Sequence, residues 1–253
     1  SQFKNIMYRK GAQDKKRARL FTKLAREITV SAKEGGDDPE ANPRLRSAIA
    51  QARANNMPNT NIERALKKAT GEGASQNYEE VRYEGYGPGG VAIVVDTLTD
   101  NRNRTASEVR STFSKLGGNM GETNSASIMF ERVGRVIFPE TVGDFDTVFE
   151  AAAEAGAEDV EHQPATEDDD EPGRYEVICQ ADDFSTVRDT LSERFGDPTE
   201  ARLGWKPHST QPVSEEQAQT LLKLIDTLED YDDVQQVTSN LELDDDVMQR
   251  LSA

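Results

Sequence analysis

Cysteine occurs once in the 253 residues, at Cys179. No intramolecular disulfide can form, which points to a reducing compartment. Cys179 alternates in phase with Tyr175 and Val177, the pattern of a core residue rather than a nucleophile. There are two histidines, His162 and His208, far apart in sequence, so no set with metal-ligand spacing exists. No G-x-S-x-G stretch occurs. The acidic run "TEDDDEP" (166–172) lacks the full calcium-loop pattern and reads as a solvated loop between strands. Carboxylates are so numerous that no pair stands out as an acid–base couple. No apolar run nears the roughly 20 residues of a membrane helix. The first residues hold no signal-peptide core. The expectation is a cytoplasmic protein that is not an enzyme and uses neither cofactor nor metal.

Charge is abundant and unevenly placed. The formal net charge is −17, yet residues 1–70 carry 16 Lys+Arg against 7 Asp+Glu, net +9. Residues 71–253 carry 14 against 40, net −26. Such asymmetry points to a localised polyanion-binding surface, held apart from the acidic remainder as its own domain.

The basic part reads as three amphipathic helices. In the first, Leu20, Phe21, Leu24 and Ile28 share one arc at 100° per residue. Lys15, Arg19, Lys23, Arg26 and Lys33 share the opposite arc. Asp14 favours the helix start, and Gly35-Gly36 ends it. "DDPEANPRLRSAIAQARANNMP" places Asn42 as N-cap and Pro43 at the first helical position, with Leu45, Ala48, Ile49 and Ala52 as the apolar stripe. In "NTNIERALKKATG", Thr60 and Glu63 have capping-box spacing, Ile62, Ala65, Leu66 and Ala69 face inward, and Gly71 ends the helix. Short amphipathic helices bury their stripes against one another.

The pattern then turns to period two. "EEVRYEGYGPGGVAIVVDTLT" reads as strand, turn, strand; "NRTASEVRSTFSKLGG" as a helix; "SASIMFER" as a strand. Residues 134–206 read as βαββαβ, the ferredoxin-like order. A helix opened by a Ser214/Gln217 capping box and a strand "VQQVTSN" follow. Both lack partners of their own and are assigned to the β-rich stretch before the βαββαβ segment. The expected class is α+β multidomain. A basic helical domain (1–75) precedes a middle α/β domain (76–133 and 207–243). An inserted α/β domain (134–206) interrupts the middle one, and 244–253 form a C-terminal tail.

"GYGPGG" (85–90) has the composition of a phosphate loop, but a strand follows it instead of a helix, so a hairpin turn is expected. In "TDNRNRT" (99–105), Asn103 can cap the next helix. Arg102 and Arg104 at its start oppose the helix dipole, which either a docked anion or an internal salt bridge would relieve. The candidate nucleic-acid contacts are Arg9, Lys10, Lys15, Lys16, Arg19, Lys23, Arg26, Lys33, Arg44, Arg46, Arg53, Lys67, Lys68, Arg102 and Arg104. Arg64 adds to the same surface. One-signed charge on one arc distinguishes this from a mixed, merely soluble face.

Four stretches, "RKGAQDKKRARLFTKLAREITVSAKEGGDDPEANPRLRSAI", "NMPNTNIERALKKATG", "YEGYGPGGVAIVVDTLTDNRNRTASEVRSTFSKLGGNMGE" and "LIDTLEDYDDVQQVTSNLEL", closely resemble the YebC/PmpR family of probable transcriptional regulatory proteins. That family includes the mitochondrial translational activator of cytochrome c oxidase subunit I. The resemblance runs in order over almost the whole chain. It departs at Ser1-Gln2-Phe3 and at Ile128, where the family often has Trp and where a core change is expected. It implies three domains, the first helical and the third inserted in the second. It also implies a cytoplasmic, non-enzymatic regulator that binds DNA, or alternatively rRNA and the ribosome, including relief of stalling at proline-rich stretches. The acidic domains then suit a basic protein partner.

Overall fold

A computed structural model of the chain describes residues 13–71, 77–165 and 172–252. Three helices come first: α1 (Gln13–Gly35), α2 (Pro43–Ala54) and α3 (Asn59–Thr70). Next are β1 (Glu79–Tyr86), β2 (Ala92–Thr99), α4 (Arg102–Lys115) and β3 (Asn119–Met120). Then come β4 (Phe130–Pro139), α5 (Phe145–Ala155), β5 (Asp159–Gln163), β6 (Arg174–Gln180), α6 (Phe184–Phe195) and β7 (Glu200–Pro207). The chain closes with β8 (Gln211–Pro212), α7 (Glu215–Glu229), β9 (Val234–Ser239), β10 (Leu241–Glu242) and α8 (Asp245–Ser252). None of the described helices is long and apolar enough to cross a membrane.

Two compact units result. The described residues of the first are 13–26, 77–131 and 207–252; those of the second are 27–71, 132–165 and 172–206. The boundary falls inside α1, between Arg26 and Glu27. Residues of the 1–75 segment thus contribute to both units.

In the first unit the sheet order is β3-β1-β2-β9. β1 and β2 form an antiparallel hairpin from Glu79↔Thr99 to Tyr86↔Ala92. "GYGPGG" is thus a hairpin turn, and Gly89 and Gly90 supply its positive φ values of 75° and 76°. β9 returns from the far end of the chain to pair with β2. Val91, Ile93 and Val95 bury against Val109 and Phe113 of α4 and Leu221, Leu224 and Leu228 of α7. Gly85 is required by close approach: a Cβ there would lie 2.5 Å from the Asn119 carbonyl oxygen and 2.8 Å from the Phe113 ring.

Beside Gly85, Glu84 is only 2% exposed. Its carboxylate accepts the backbone N–H groups of Asn124 (2.8 Å), Ala126 (3.1 Å) and Ser127 (2.5 Å), and Arg82 donates from 3.0 Å. Burial alone pushes this carboxyl up, but the hydrogen bonds from Asn124, Ser127 and Ala126 outweigh it and hold the group below the usual range. One buried charge thereby pins the 121–129 loop.

In the second unit the chain order β4-α5-β5-β6-α6-β7 builds a sheet of spatial order β5-β6-β4-β7. Val136, Phe138, Tyr175, Val177 and Cys179 face Val148, Ala152, Val187 and Leu191 of the two helices. The helical part of this unit turns on Asn42. Its side-chain oxygen accepts the Leu45 N–H at 3.2 Å, and its amide donates to the Ser31 and Gly36 carbonyls, both at 2.8 Å. One residue caps α2 and closes the end of α1. The Thr29 hydroxyl, donating to the Ala65 carbonyl at 3.0 Å, ties α1 to α3.

Several local expectations need correction. Asn101, not Asn103, caps α4, accepting the Arg104 N–H at 3.1 Å. No capping box forms at Thr60/Glu63, because α3 already begins at Asn59 behind Pro58. Residues 127–129, expected inside the strand "SASIMFER", are a single 3₁₀ turn, and the rest of that strand merges with the next expected one into β4. Ile128 is not in the core: it is 72% exposed. The "TEDDDE" run lies outside the described residues.

Replacing Glu84 by Ala strands the buried N–H donors of Ala126 and Ser127 and removes the partner of the Asn124 N–H, and should cost about 3 kcal/mol in urea denaturation at neutral pH. Because its carboxyl is depressed, its contribution is present above the ordinary carboxylate range and disappears as pH falls through the lowered value. The gap between parent and variant should therefore narrow in acid.

Candidate nucleic-acid interface

α1 forms as its apolar spacing predicts, with Leu24 and Ile28 buried at 4% and 0% exposure. The centre of its opposite arc is engaged within the chain. Arg19 pairs with Asp230. The Lys23 ammonium donates to the Glu229 carbonyl. Arg26 donates to Asp233 at 2.7 Å and to the Leu98 carbonyl at 2.9 Å, and its guanidinium lies 4.6 Å over the Tyr78 ring centre. The three central residues of the cationic ridge are held by the segment 229–233 of their own unit. The physical reason is charge: "DTLEDYDD" (226–233) concentrates five carboxylates beside them.

Asp233 organises this contact at 4% exposure. Besides Arg26, it accepts from Arg104 at 2.8 Å and from the Thr105 hydroxyl at 2.7 Å, while its own carbonyl accepts the Leu98 N–H at 2.8 Å. Burial pushes its carboxyl up, but the bonds from Thr105, Arg104 and Arg26 outweigh that, and the net shift is downward. Arg104 also reaches Asp100 at 2.7 Å, and its ionisation is pushed further upward by these hydrogen bonds. Of the two readings for Arg104 at the start of α4, the internal salt bridge is the one observed. Arg102 is exposed, with Glu79 at 3.4 Å. The periphery is less well compensated. Burial lowers Lys23 despite nearby Glu229 and Asp230, and burial raises Asp230 despite Arg19 and Lys23. Pairing there repays only part of the desolvation.

In the second unit Arg44 is engaged by Glu27 at 2.9 Å and Glu34 at 2.6 Å, and Arg46 by Asp197 at 3.4 Å. Lys16 is half-buried and Lys33 exposed. Arg9 and Lys10 lie outside the described residues, as does the side chain of Lys15. The remaining candidates behave differently. Arg53, Lys67 and Lys68, together with Arg64, are exposed and make no ion pair among the described residues. Arg64, Lys67 and Lys68 fall within about 100° on α3, opposite Ile62 and Ala65. From Ala41 to Gly71 there are six Lys/Arg and a single acid, Glu63.

The periodicity reading missed Asp233 and Glu84. Their signal was an acid inside an otherwise apolar or strand context, at "YDDV" and "YEGYG". Cys179 is buried, and burial pushes its thiol up, as for an inert core thiol. His162 meets Glu140 at 3.0 Å, and no metal-binding group of side chains occurs among the described residues.

Comparison with known proteins adds two kinds of finding. A family model described as the TACO1/YebC protein N-terminal domain matches residues 1–72, and one described as the TACO1/YebC second and third domain matches residues 78–241. A crystal structure of a conserved hypothetical protein, Aq1575, from Aquifex aeolicus is similar with a TM-score of 0.78 and 45% sequence identity. The alignment covers 90% of this chain and 91% of that one.

Removal of the Asp233 carboxylate leaves Arg26 and Arg104 without their shared buried partner. Asp233→Ala should cost about 3–5 kcal/mol in urea denaturation, the range for breaking a buried pair. Arg19→Ala, at a half-exposed pair, should cost under about 1 kcal/mol. The depressed carboxyl adds a sign: the Asp233 contribution is intact above the ordinary carboxylate range and is lost as pH falls through its lowered value.

Proposed function

The chain belongs to the TACO1/YebC family, and from that premise we propose that it is a non-enzymatic, cytoplasmic, nucleic-acid-binding regulator. The observation that carries the proposal is the exposed arc of Arg64, Lys67 and Lys68 on α3, which with Arg53 of α2 makes no ion pair among the described residues and lies in a stretch with one acid. Lys and Arg on such a surface neutralise phosphates and release counterions, which supplies affinity without reading bases. Duplex DNA is the first target, in line with the transcriptional role that the sequence resemblance implies. Its binding is backbone-directed.

One observation favours ribosomal RNA as a second reading. The free cations sit on the short helices α2 and α3, and neither helix presents a clear base-reading face. Asn55 is turned back to the Gln51 carbonyl at 2.8 Å, and Asn56 occupies a positive-φ turn position at 61°. Structured RNA is recognised largely through shape and backbone. In this reading residues 134–206 are a ferredoxin-like βαββαβ insertion in the middle domain. The sheet order β5-β6-β4-β7 supports that assignment.

Arg64→Ala, Lys67→Ala and Lys68→Ala together remove three exposed contacts and place a helix-favouring residue at each position, so the fold should survive. The slope of log affinity against log salt should fall by roughly 2–3 on duplex DNA. Parallel titrations on a duplex and on ribosomes at matched salt separate the two targets. An unchanged slope on both in the folded variant overturns the assignment of this arc.

A further inference from the structure

Large apolar side chains are almost all inside. Among the described residues only Ile128, Phe145, Phe149 and Leu203 are exposed. Two of these four form one feature. Phe145 and Phe149, 39% and 47% exposed, stand one turn apart on α5 and stack with ring centres 5.7 Å apart. Val148, Ala151 and Ala152 supply the buried face of α5. The two phenylalanines are held in place. Asp144 caps the helix at Phe145 by accepting the Thr147 N–H at 2.8 Å. The Phe145 ring continues into His162 and Tyr175, with ring centres 6.5 Å away in each case.

Along the chain the surroundings of this pair have one sign, although Arg194 of α6 pairs with Glu154 and Arg174 of β6 donates to Gln163. Residues 139–163 contain eight acids and no Lys or Arg. At 100° per residue Asp146 and Glu150 follow Phe149 round the exposed side of α5. Neither forms an ion pair among the described residues. We infer that the exposed face of α5, built from Phe145, Phe149, Asp146 and Glu150, is a docking surface for an arginine-bearing protein segment.

Charge complementarity selects this occupant. A guanidinium stacks on an aromatic face while its N–H fork reaches a carboxylate, and α5 offers both within one turn. A nucleic acid could stack on the same rings, but its phosphates would meet Asp146 and Glu150 beside them. The partner is thus a protein, which goes beyond the nucleic-acid reading and rests on a different part of the chain.

The test uses the full chain and fluorescence anisotropy with three labelled probes: a short Arg-Gly repeat peptide, its Lys-Gly counterpart and an oligouridylate. The parent should bind the arginine peptide more tightly than the lysine peptide. Phe149→Ala should weaken arginine-peptide binding about tenfold, and Asp146→Asn with Glu150→Gln should act similarly. Glu122→Gln with Glu131→Gln, exposed acids of the first unit, should leave it unchanged. Phe149→Leu keeps apolar bulk without the ring and should erase the preference for arginine; it decides the matter if Phe149→Ala fails to fold. Four results would each overturn the proposal. These are parent-like binding by the folded Phe149 variants, equal weakening by the remote acid pair, Phe149-dependent binding of the oligouridylate, or Phe149-dependent self-association of the chain.

Discussion

A single buried carboxylate, Asp233, decides how the first unit is assembled. It gathers a guanidinium from α1, a guanidinium and a hydroxyl from the start of α4, and through its own carbonyl the end of β2. Each donor comes from a segment distant in sequence, so the carboxylate closes several long loops at once. Its partners outweigh its desolvation, which is the condition for a buried charge to stabilise a fold instead of burdening it. Glu84 meets the same condition with backbone donors. The unit therefore has an apolar core of ordinary kind and two buried charges that fix register around it.

This arrangement divides the basic residues into two populations. Arg19, Lys23 and Arg26 of the α1 arc are spent internally on the acidic 229–233 segment. Arg53, Arg64, Lys67 and Lys68 remain outward with no ion pair among the described residues, whereas Arg44 and Arg46 are held by Glu27, Glu34 and Asp197. A formal charge of +9 over the first 70 residues overstates what a polyanion would meet. Net charge is a property of the chain, whereas binding depends on the part of it that neighbouring acids leave uncompensated.

Much of this was legible in the residues. Asn42 before Pro43 read as a cap and is one; Ser214 and Gln217 read as a capping box and form one; the glycines of "GYGPGG" read as a hairpin turn. These signals are local, and local geometry suffices to satisfy them. The failures share the opposite property. Asn101 and Asn103 are equivalent in sequence, and the choice falls to Asn101 because Arg104 and Thr105 must then reach Asp233. Periodicity correctly separated the two arcs of α1 but carried no information on what faces the polar one. The exposure of Ile128 depends on a loop pinned by Glu84, 44 residues earlier in strand β1, which no window of sequence reveals. The aromatic pair on α5 escaped notice because i, i+4 phenylalanines look like core until the alanines beside them are seen to fill that role.

The placement of β9 has a consequence for the growing chain. Synthesis proceeds from the N-terminus, so β2 emerges with one edge paired to β1 and the other open. Its second neighbour is not made until the whole of residues 132–206 has left the ribosome. During that interval an apolar strand edge stands unprotected, the condition under which nascent chains associate wrongly. The intervening β4–β7 sheet draws all its strands from one continuous stretch and can close on itself first. The order of strands in space thus sets an order of events in time, in which the second sheet is finished while the first still waits for its last strand.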